Sequence, residues 1–188
     1  MRPPETREQR RSFAEAAWRL GRLRGLKGLT VRALADAMGV NPARLYAHYE
    51  DKASLLAELR SYGHPMLIAS LAEASHRDRS GDALLAMSLA YVDFMREHGW
   101  AYEADEPVLG GELDHRDAFI ERALELLGGA HGSLRERATH LWLGLHALGL
   151  LLGRAPDDDR ARDRHVVAAH AQALLRGIAQ MPAEMLGG

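Results

Sequence analysis

The sequence predicts an all-α protein made of a small N-terminal domain and a larger helical C-terminal domain. Apolar residues recur at intervals of three and four along the chain, and no segment shows the alternation of a half-buried strand. Near the N-terminus, two short helical stretches flank Gly39. Near the C-terminus, two longer stretches are apolar over much of their circumference, which predicts helices buried on several sides.

Composition limits the class of protein. The 188 residues are 47% hydrophobic and 27% charged, which is typical of a globular chain. The absence of cysteine excludes disulfides and thiolate metal sites, and it fits the cytoplasm, where we expect the protein to act. The N-terminus is too charged for a secretory signal, and no apolar run approaches the roughly 20 residues that cross a bilayer. We therefore expect no membrane association.

Charge is distributed unevenly along the chain. Residues 1–60 carry 12 Lys and Arg against 7 Asp and Glu, a net charge of +5, whereas residues 61–188 carry 12 against 19, a net charge of −7. A basic head on an acidic body is typical of a polyanion-binding module joined to a separate domain. Four arginines near the N-terminus either contact phosphates beside that module or form a solvated tail: Arg2, Arg7, Arg10 and Arg11.

The first helix is predicted by an apolar stripe, and it is expected to pack under the helices that follow. The stripe consists of Phe13, Ala16, Ala17, Leu20 and Leu23. Glycines at positions 25 and 28 predict a turn into the next helix.

Residues 30–52 predict two short helices around a tight turn. Thr30 is a good N-cap for the first, and Gly39 can adopt the left-handed conformation that ends it. Asn41 followed by Pro42 predicts the N-cap and first position of the second helix. Leu45 supplies the inward face of that second helix. This order of elements is a helix-turn-helix, and its second helix is the one that enters the major groove of DNA.

The side chains that remain on the outside of the second helix are suited to DNA. Arg44 lies near the helix N-terminus, where a guanidinium can read guanine O6 and N7; a phosphate or solvent is the alternative partner. Tyr46, His48 and Lys52 carry donors suited to phosphates, which position a protein without reading sequence. Taken singly, each of these three could equally be a packing or solvated residue.

Several motifs at fixed offsets resemble the DNA-binding domain of the TetR family of bacterial regulators. They are L-T-x-R-x-L-A at residues 29–35, M-G-V at 38–40, L-Y-x-H at 45–48 and K-x-x-L-L at 52–56. The resemblance implies a homodimer that binds a palindromic operator and is released by a small molecule. It also implies backbone or adjacent base contacts from Thr30 and Arg32, phosphate contacts from Tyr46, His48 and Lys52, and base contacts from Asn41, Pro42, Ala43 and Arg44. Ala47 departs from the aromatic or polar residue of many relatives.

A fourth helix is expected to lead out of the N-terminal domain. Asp51 is its predicted cap, and Gly63, His64 and Pro65 predict a kink or a break. Its apolar stripe is Leu55, Leu59, Tyr62 and Met66. We place the domain boundary here, with a DNA-binding domain at residues 1–62 and an effector-binding and dimerisation domain at residues 63–188.

The C-terminal domain is predicted to be a helical bundle. Helices are expected at residues 82–98 and 115–127, with a loop or broken helix between them. Two apolar helices follow at residues 141–152 and 162–181, joined by a polar loop at 155–160. These last two helices are expected to form a four-helix interface with a second copy of the chain. The residues assigned to that interface are Leu141, Leu145, Leu148, Leu152, Val167, Ala171, Leu174 and Ile178.

Aromatic and flexible apolar residues of this domain are candidates for an effector pocket, although such residues more often form a core. His146 is the single polar residue of its apolar stretch, and it is either a hydrogen-bonded core residue or a polar anchor in the pocket. The full candidate set is Tyr91, Met95, Trp100, Tyr102, Trp142 and His146. The effector is expected to be hydrophobic, and its identity is open.

Catalytic and metal-binding motifs are absent from the sequence. There is no G-x-S-x-G elbow, no H-E-x-x-H and no dinucleotide-binding glycine pattern, and the ten histidines lack metal-ligand spacing on one helix face. We therefore expect a DNA-binding transcriptional regulator, most simply a repressor, without a cofactor, a metal or enzymatic activity. A regulator controlled by a protein partner or by no ligand is the first alternative, and a helical-bundle enzyme is the second.

Overall fold

The computed structural model describes residues 7–78, 81–102, 114–129, 132–153 and 160–180. Arg2 and most of the predicted polar loop at residues 155–160 lie outside these ranges. The described residues form helices and no strand, so the predicted all-α class is confirmed. The helices are α1 (Arg7–Gly28), α2 (Val31–Met38), α3 (Pro42–Tyr46), α4 (Lys52–Arg77), α5 (Ala83–His98), α6 (Asp114–Leu127), α7 (Gly132–Gly153) and α8 (Arg160–Ala179). A single 3₁₀ turn, Gly99–Ala101, follows α5.

The described chain divides into two compact units. The first contains the residues up to Pro65 and, from later in the chain, residues 100–102. The second contains residues 66–99 and the described residues from 114 onward. The division between Pro65 and Met66 lies close to the boundary that we placed between residues 62 and 63. The sequence did not predict the return of residues 100–102 to the first unit.

Aromatic packing determines which face of α1 is buried. The ring of Trp18 lies 5.2 Å from that of Trp100 and 5.8 Å from that of Tyr62. Leu23, which we expected on the buried stripe, is 84% exposed. The stripe therefore follows Phe13, Ala14, Ala17 and Trp18, and its predicted end at Leu23 was wrong.

Two glycines allow this packing. A Cβ atom at Gly21 would lie 2.1 Å from Cζ3 of Trp100, and one at Gly63 would lie 2.4 Å from Cη2 of Trp18. Both distances are far shorter than van der Waals contact. Gly63, which we took for a helix breaker, thus admits an aromatic ring against α4.

The fourth helix continues through Pro65, which excludes a break and leaves the kink of the two predicted alternatives. Leu55 and Leu59 are fully buried before the proline, and Leu67 and Leu71 are buried after it. Packing on both sides offsets the cost of about 3 kcal/mol that proline imposes inside a helix. Met66, the expected end of the stripe, is 39% exposed because the buried face passes through Leu67 instead.

The second unit is a bundle in which α5, α7 and α8 pack against one another and α6 packs on α5 and α7. Helices α5 and α6 occupy the predicted positions, whereas α7 begins nine residues earlier than we expected. On one side of the bundle, Arg122 of α6 ties α6 to α4, since its Nη2 donates to Ser75 Oγ over 2.7 Å.

Half of the residues predicted for a dimer interface are buried inside the single chain. Leu141, Leu145, Val167 and Ala171 are at most 6% exposed, so they are not available to a second copy. Leu148, Leu152, Leu174 and Ile178 are partly exposed. The four buried residues lie inside the bundle that α7 and α8 form with α5.

Candidate nucleic-acid interface

Local hydrogen bonds form the turn between α2 and α3. Thr30 is the N-cap of α2, and its Oγ1 accepts a hydrogen bond from the amide of Ala33 over 3.0 Å. Gly39 ends the helix with φ 63° and ψ 30°, the left-handed conformation that glycine adopts without steric cost. The amide of Val40 then donates to the carbonyl of Ala35 over 3.0 Å. These bonds confirm the predicted capping at both ends of α2.

Side-chain capping also begins α3. Asn41 is its N-cap, with Oδ1 accepting from the amide of Ala43 over 2.9 Å, and Pro42 occupies the first turn. Leu45 is fully buried and fastens this short helix to the core of the first unit. Because α3 has only five residues and one inward anchor, most of its side chains remain outside.

The side chains predicted to contact DNA fall into two groups. Most are solvent-exposed, including Tyr46, which is 51% exposed. This first group comprises Thr30, Arg32, Asn41, Ala43, Arg44 and Tyr46, and Pro42 beside them is partly exposed. His48 and Lys52 form the second group, since both are partly buried and contact other residues of the first unit.

Phe13 of α1 supports two residues of the candidate interface. The guanidinium carbon of Arg44 lies 5.7 Å from the centre of the Phe13 ring, in a cation–π arrangement. The His48 ring lies 5.0 Å from the same ring. Phe13 is itself 4% exposed and therefore fixed. The sequence predicted that Phe13 faces inward, but it contained no indication that this ring would lie beneath Arg44.

Lys52 has a structural contact that the sequence did not reveal. Its Nζ donates to the carbonyl of Leu26 over 2.6 Å and so ties the start of α4 to the end of α1. The contact is made just beyond Gly25, where φ of 64° turns the chain. An ammonium group carries three donors, so this bond leaves donors for a phosphate.

The start of α4 is capped as predicted. Asp51 Oδ1 accepts from the amide of Ser54 over 2.8 Å, and Ser54 Oγ accepts from the amide of Asp51 in return. The hydrogen bond from the Ser54 amide is the main cause that lowers the pKa of the Asp51 carboxyl.

A hydrogen-bonded aromatic cluster lies in the second unit. Nε1 of Trp142 donates to the hydroxyl of Tyr91 over 2.6 Å, and that hydroxyl lies 3.0 Å from Nδ1 of His146. Burial lowers the pKa of His146 to about 4, so the ring is neutral near pH 7. With the His146 proton on Nε2, the Tyr91 hydroxyl donates to Nδ1. The ring of His115 lies 5.1 Å from that of His146.

The residues predicted for an effector pocket do not all come together. Four of them are buried in the second unit: Tyr91, Met95, Trp142 and His146. Tyr91 is hydrogen-bonded to Trp142 and His146, as described above. Trp100 and Tyr102 belong to the first unit instead. Across the described residues, no three His, Asp or Glu side chains are grouped as metal ligands would be.

The capped α2, the left-handed glycine and the exposed face of α3 define a helix-turn-helix protein. Residues 14–59 match the family described as bacterial regulatory proteins, tetR family. This match covers the helix-turn-helix and identifies that segment as a TetR-type DNA-binding region.

A sequence comparison finds a similar protein in Bacillus subtilis. The chain is 32% identical over 92 residues to YobS of Bacillus subtilis (strain 168), described as an uncharacterized HTH-type transcriptional regulator. That match covers 49% of this chain and 48% of YobS, so the chain spans about half the length of this relative.

Solved structures share the fold over nearly the whole chain. A TetR-family transcriptional regulator from Pectobacterium atrosepticum is 18% identical, with a TM-score of 0.72, and the match covers 95% of this chain and 100% of that one. A tetR-family regulatory protein from Rhodococcus RHA1 is 19% identical, with a TM-score of 0.61 and coverage of 92% and 98%. Among the described residues, no helix is long and apolar enough to span a membrane.

Proposed function

We propose that this protein is a repressor that binds a palindromic DNA operator as a homodimer and leaves it when a small molecule binds the second unit. The observation that carries the proposal is the exposed face of α3. This face presents Arg44 close to the capped N-terminus of the helix, and the fully buried Leu45 anchors the opposite face. A helix held in this way can enter the major groove without reordering its own backbone.

The positions of the charged and polar side chains support separate roles in DNA binding. Arg44 extends from the exposed face, and Phe13 restricts where its guanidinium can lie, which favours a bidentate contact with a guanine. Tyr46 and Arg32 are exposed on neighbouring helices and are suited to phosphates. Lys52 and His48 stabilise the first unit and also lie close enough to its surface to contact the DNA backbone.

We expect the dimer to form through a face of α7 and α8 that the single chain leaves uncovered. Leu151 is 64% exposed and Val166 is 55% exposed. Several exposed residues beside them are small, which allows two helices to approach closely: Ala147 on α7, and Ala169, Ala173 and Gly177 on α8. A symmetric contact of this face with itself would place two α3 helices in successive major grooves, about 34 Å apart.

Charge placed on this face tests the dimer. Val166→Glu should convert a dimer into a monomer at micromolar concentration, because two like charges would be buried against each other. Ile68→Glu is the matched control, since Ile68 is also an exposed apolar residue but lies on α4. Size-exclusion chromatography with light scattering gives the mass of each variant. A wild-type protein that is monomeric would contradict the proposed assembly.

Binding to DNA upstream of the protein's own gene tests the proposed function as a whole. Fluorescence anisotropy should show saturable binding, footprinting should show protection of a palindrome, and affinity should fall steeply with salt as phosphate-bound counterions are released. The small molecule is expected to weaken binding by its preference for the DNA-free conformation. Equal affinity for random DNA at all salt concentrations would contradict the proposal.

A further inference from the structure

A groove on the surface of the second unit lies between α5, α7 and α8. Its volume is about 330 Å³, which is at the lower end of the range for small-molecule sites. Leu89 of α5, Leu152 of α7 and Val167 of α8 supply its apolar lining. None of these residues belongs to the buried cluster of Tyr91, Trp142 and His146, so the groove is a separate feature of the bundle.

The charged lining of the groove is mainly positive. Arg96 reaches it from α5 and Arg164 from α8, with His165 beside them. Asp93 is the single acidic side chain among the described residues of the lining. The two guanidinium groups outnumber the Asp93 carboxylate, so these three side chains carry a net positive charge. A guanidinium can also bind the carboxylate of a ligand through two parallel hydrogen bonds.

The groove lies on a different side of α8 from the face expected to form the dimer. Val167 and Ala168 line the groove, whereas Val166, Ala169 and Ala173 are exposed on the far side of the helix. A second copy of the chain that packs on the exposed face would therefore leave the apolar lining of the groove open to a small ligand.

We infer that the groove binds a small organic acid, with its carboxylate at Arg96 and Arg164 and its apolar body against Leu89, Leu152 and Val167. The volume of the groove, its apolar lining and its positively charged residues match an amphiphile of this kind. If the proposed function is correct, such an acid is the class of effector that the second unit recognises.

Octanoate is a suitable probe, because octanol and octylamine have the same chain with a neutral and a positive head group. Isothermal titration of the full-length protein at pH 7.5 should show one octanoate site per chain, with the other two compounds at least about tenfold weaker. The titration contains no DNA, so its failure is distinguishable from failure of the proposed function.

Substitutions in the groove should change octanoate affinity in opposite directions. Arg164→Gln should weaken binding about fivefold, because it removes one positive partner of the carboxylate. Asp93→Asn should strengthen binding by about twofold or more, because it removes a negative charge that repels the carboxylate. Arg176→Gln is the control, since Arg176 is exposed on α8 outside the groove.

These measurements separate the inference from simple apolar adsorption. Opposite effects at Arg164 and Asp93, with no effect at Arg176, would support the site. Equal affinity for the three head groups, an equal loss in the Arg176 variant or no octanoate binding at millimolar concentration would overturn it. Circular dichroism spectra that match the wild type would establish that the variants remain folded.

Discussion

The protein contains two aromatic clusters, one in each unit, that are stabilised in different ways. In the first unit, Trp18, Tyr62 and Trp100 pack ring against ring, and Gly21 and Gly63 make room for them. In the second unit, the rings are joined by polar atoms, with Tyr91 between Trp142 and His146. The first cluster depends on shape, whereas the second also depends on protonation and hydrogen bonding.

This difference has consequences for the two units. A cluster that relies on shape is sensitive to added or removed volume and nearly insensitive to pH. A cluster with a buried histidine loses stability when that histidine must become charged. The two are also linked along the chain, because α5 carries Tyr91 and the turn that directly follows α5 supplies Trp100.

Removing the central ring of the first cluster should have the largest effect. Trp18→Ala is expected to lower the free energy of unfolding by about 3–5 kcal/mol, since it leaves a large cavity beside Trp100 and Gly63. Leu23→Ala is the matched control on the same helix and should change stability by less than about 0.5 kcal/mol, because Leu23 is exposed. Urea denaturation measures both. An equal loss of stability in the two variants would contradict the burial of the Trp18 face of α1.

Acid should weaken the second cluster by a comparable amount. The folded pKa of His146 is about 4, against about 6.5 for an exposed histidine. As the pH falls from about 6.5 to about 4, the unfolded chain binds a proton that the folded chain does not, so stability falls by up to about 3 kcal/mol.

The contribution of His146 is isolated by comparing two glutamine variants. His146→Gln should reduce the loss of stability between pH 7 and pH 4.5, because a glutamine does not titrate. His140→Gln is its control on α7, where His140 is exposed. Urea denaturation at the two pH values provides the free energies. If the His140 and His146 variants lose stability equally in acid, the burial of His146 is not responsible.

A single added methyl group should have a smaller effect on the first cluster. Gly21→Ala is expected to lower the free energy of unfolding by about 1–3 kcal/mol, because its Cβ would overlap the Trp100 ring. Gly132→Ala is the control, since nothing lies within 4 Å of a Cβ at that position. Thermal unfolding of both variants gives the comparison. A Gly21→Ala variant as stable as the control would show that Trp100 does not pack on α1.

The helix-turn-helix could be predicted in detail because its determinants are local. Thr30, Gly39, Asn41 and Pro42 fix the helix ends through residues two or three positions away. The same holds for Asp51 at the start of α4. Such short-range chemistry can be read directly from the sequence.

Features that depend on distant partners could not be predicted in this way. Leu23 and Trp18 lie on different faces of α1, and the face that is buried depends on Trp100, which is far away in the chain. The support of Arg44 by Phe13 and the bond from Lys52 to Leu26 have the same origin. Four of the eight predicted dimer residues are buried within the single chain, since apolarity indicates burial but does not identify the partner.

The most direct test of the account is to select binding sites from a random duplex DNA pool with the wild type and with the Arg44→Ala and Lys52→Ala variants. We expect the wild type to enrich one palindrome and Arg44→Ala to lose preference at one position in each half-site, at a cost of about 1–3 kcal/mol. Lys52→Ala should keep the same palindrome with uniformly weaker binding and a smaller salt dependence. An unchanged palindrome with Arg44→Ala, or no enriched sequence with the wild type, would contradict the claim that α3 reads DNA bases.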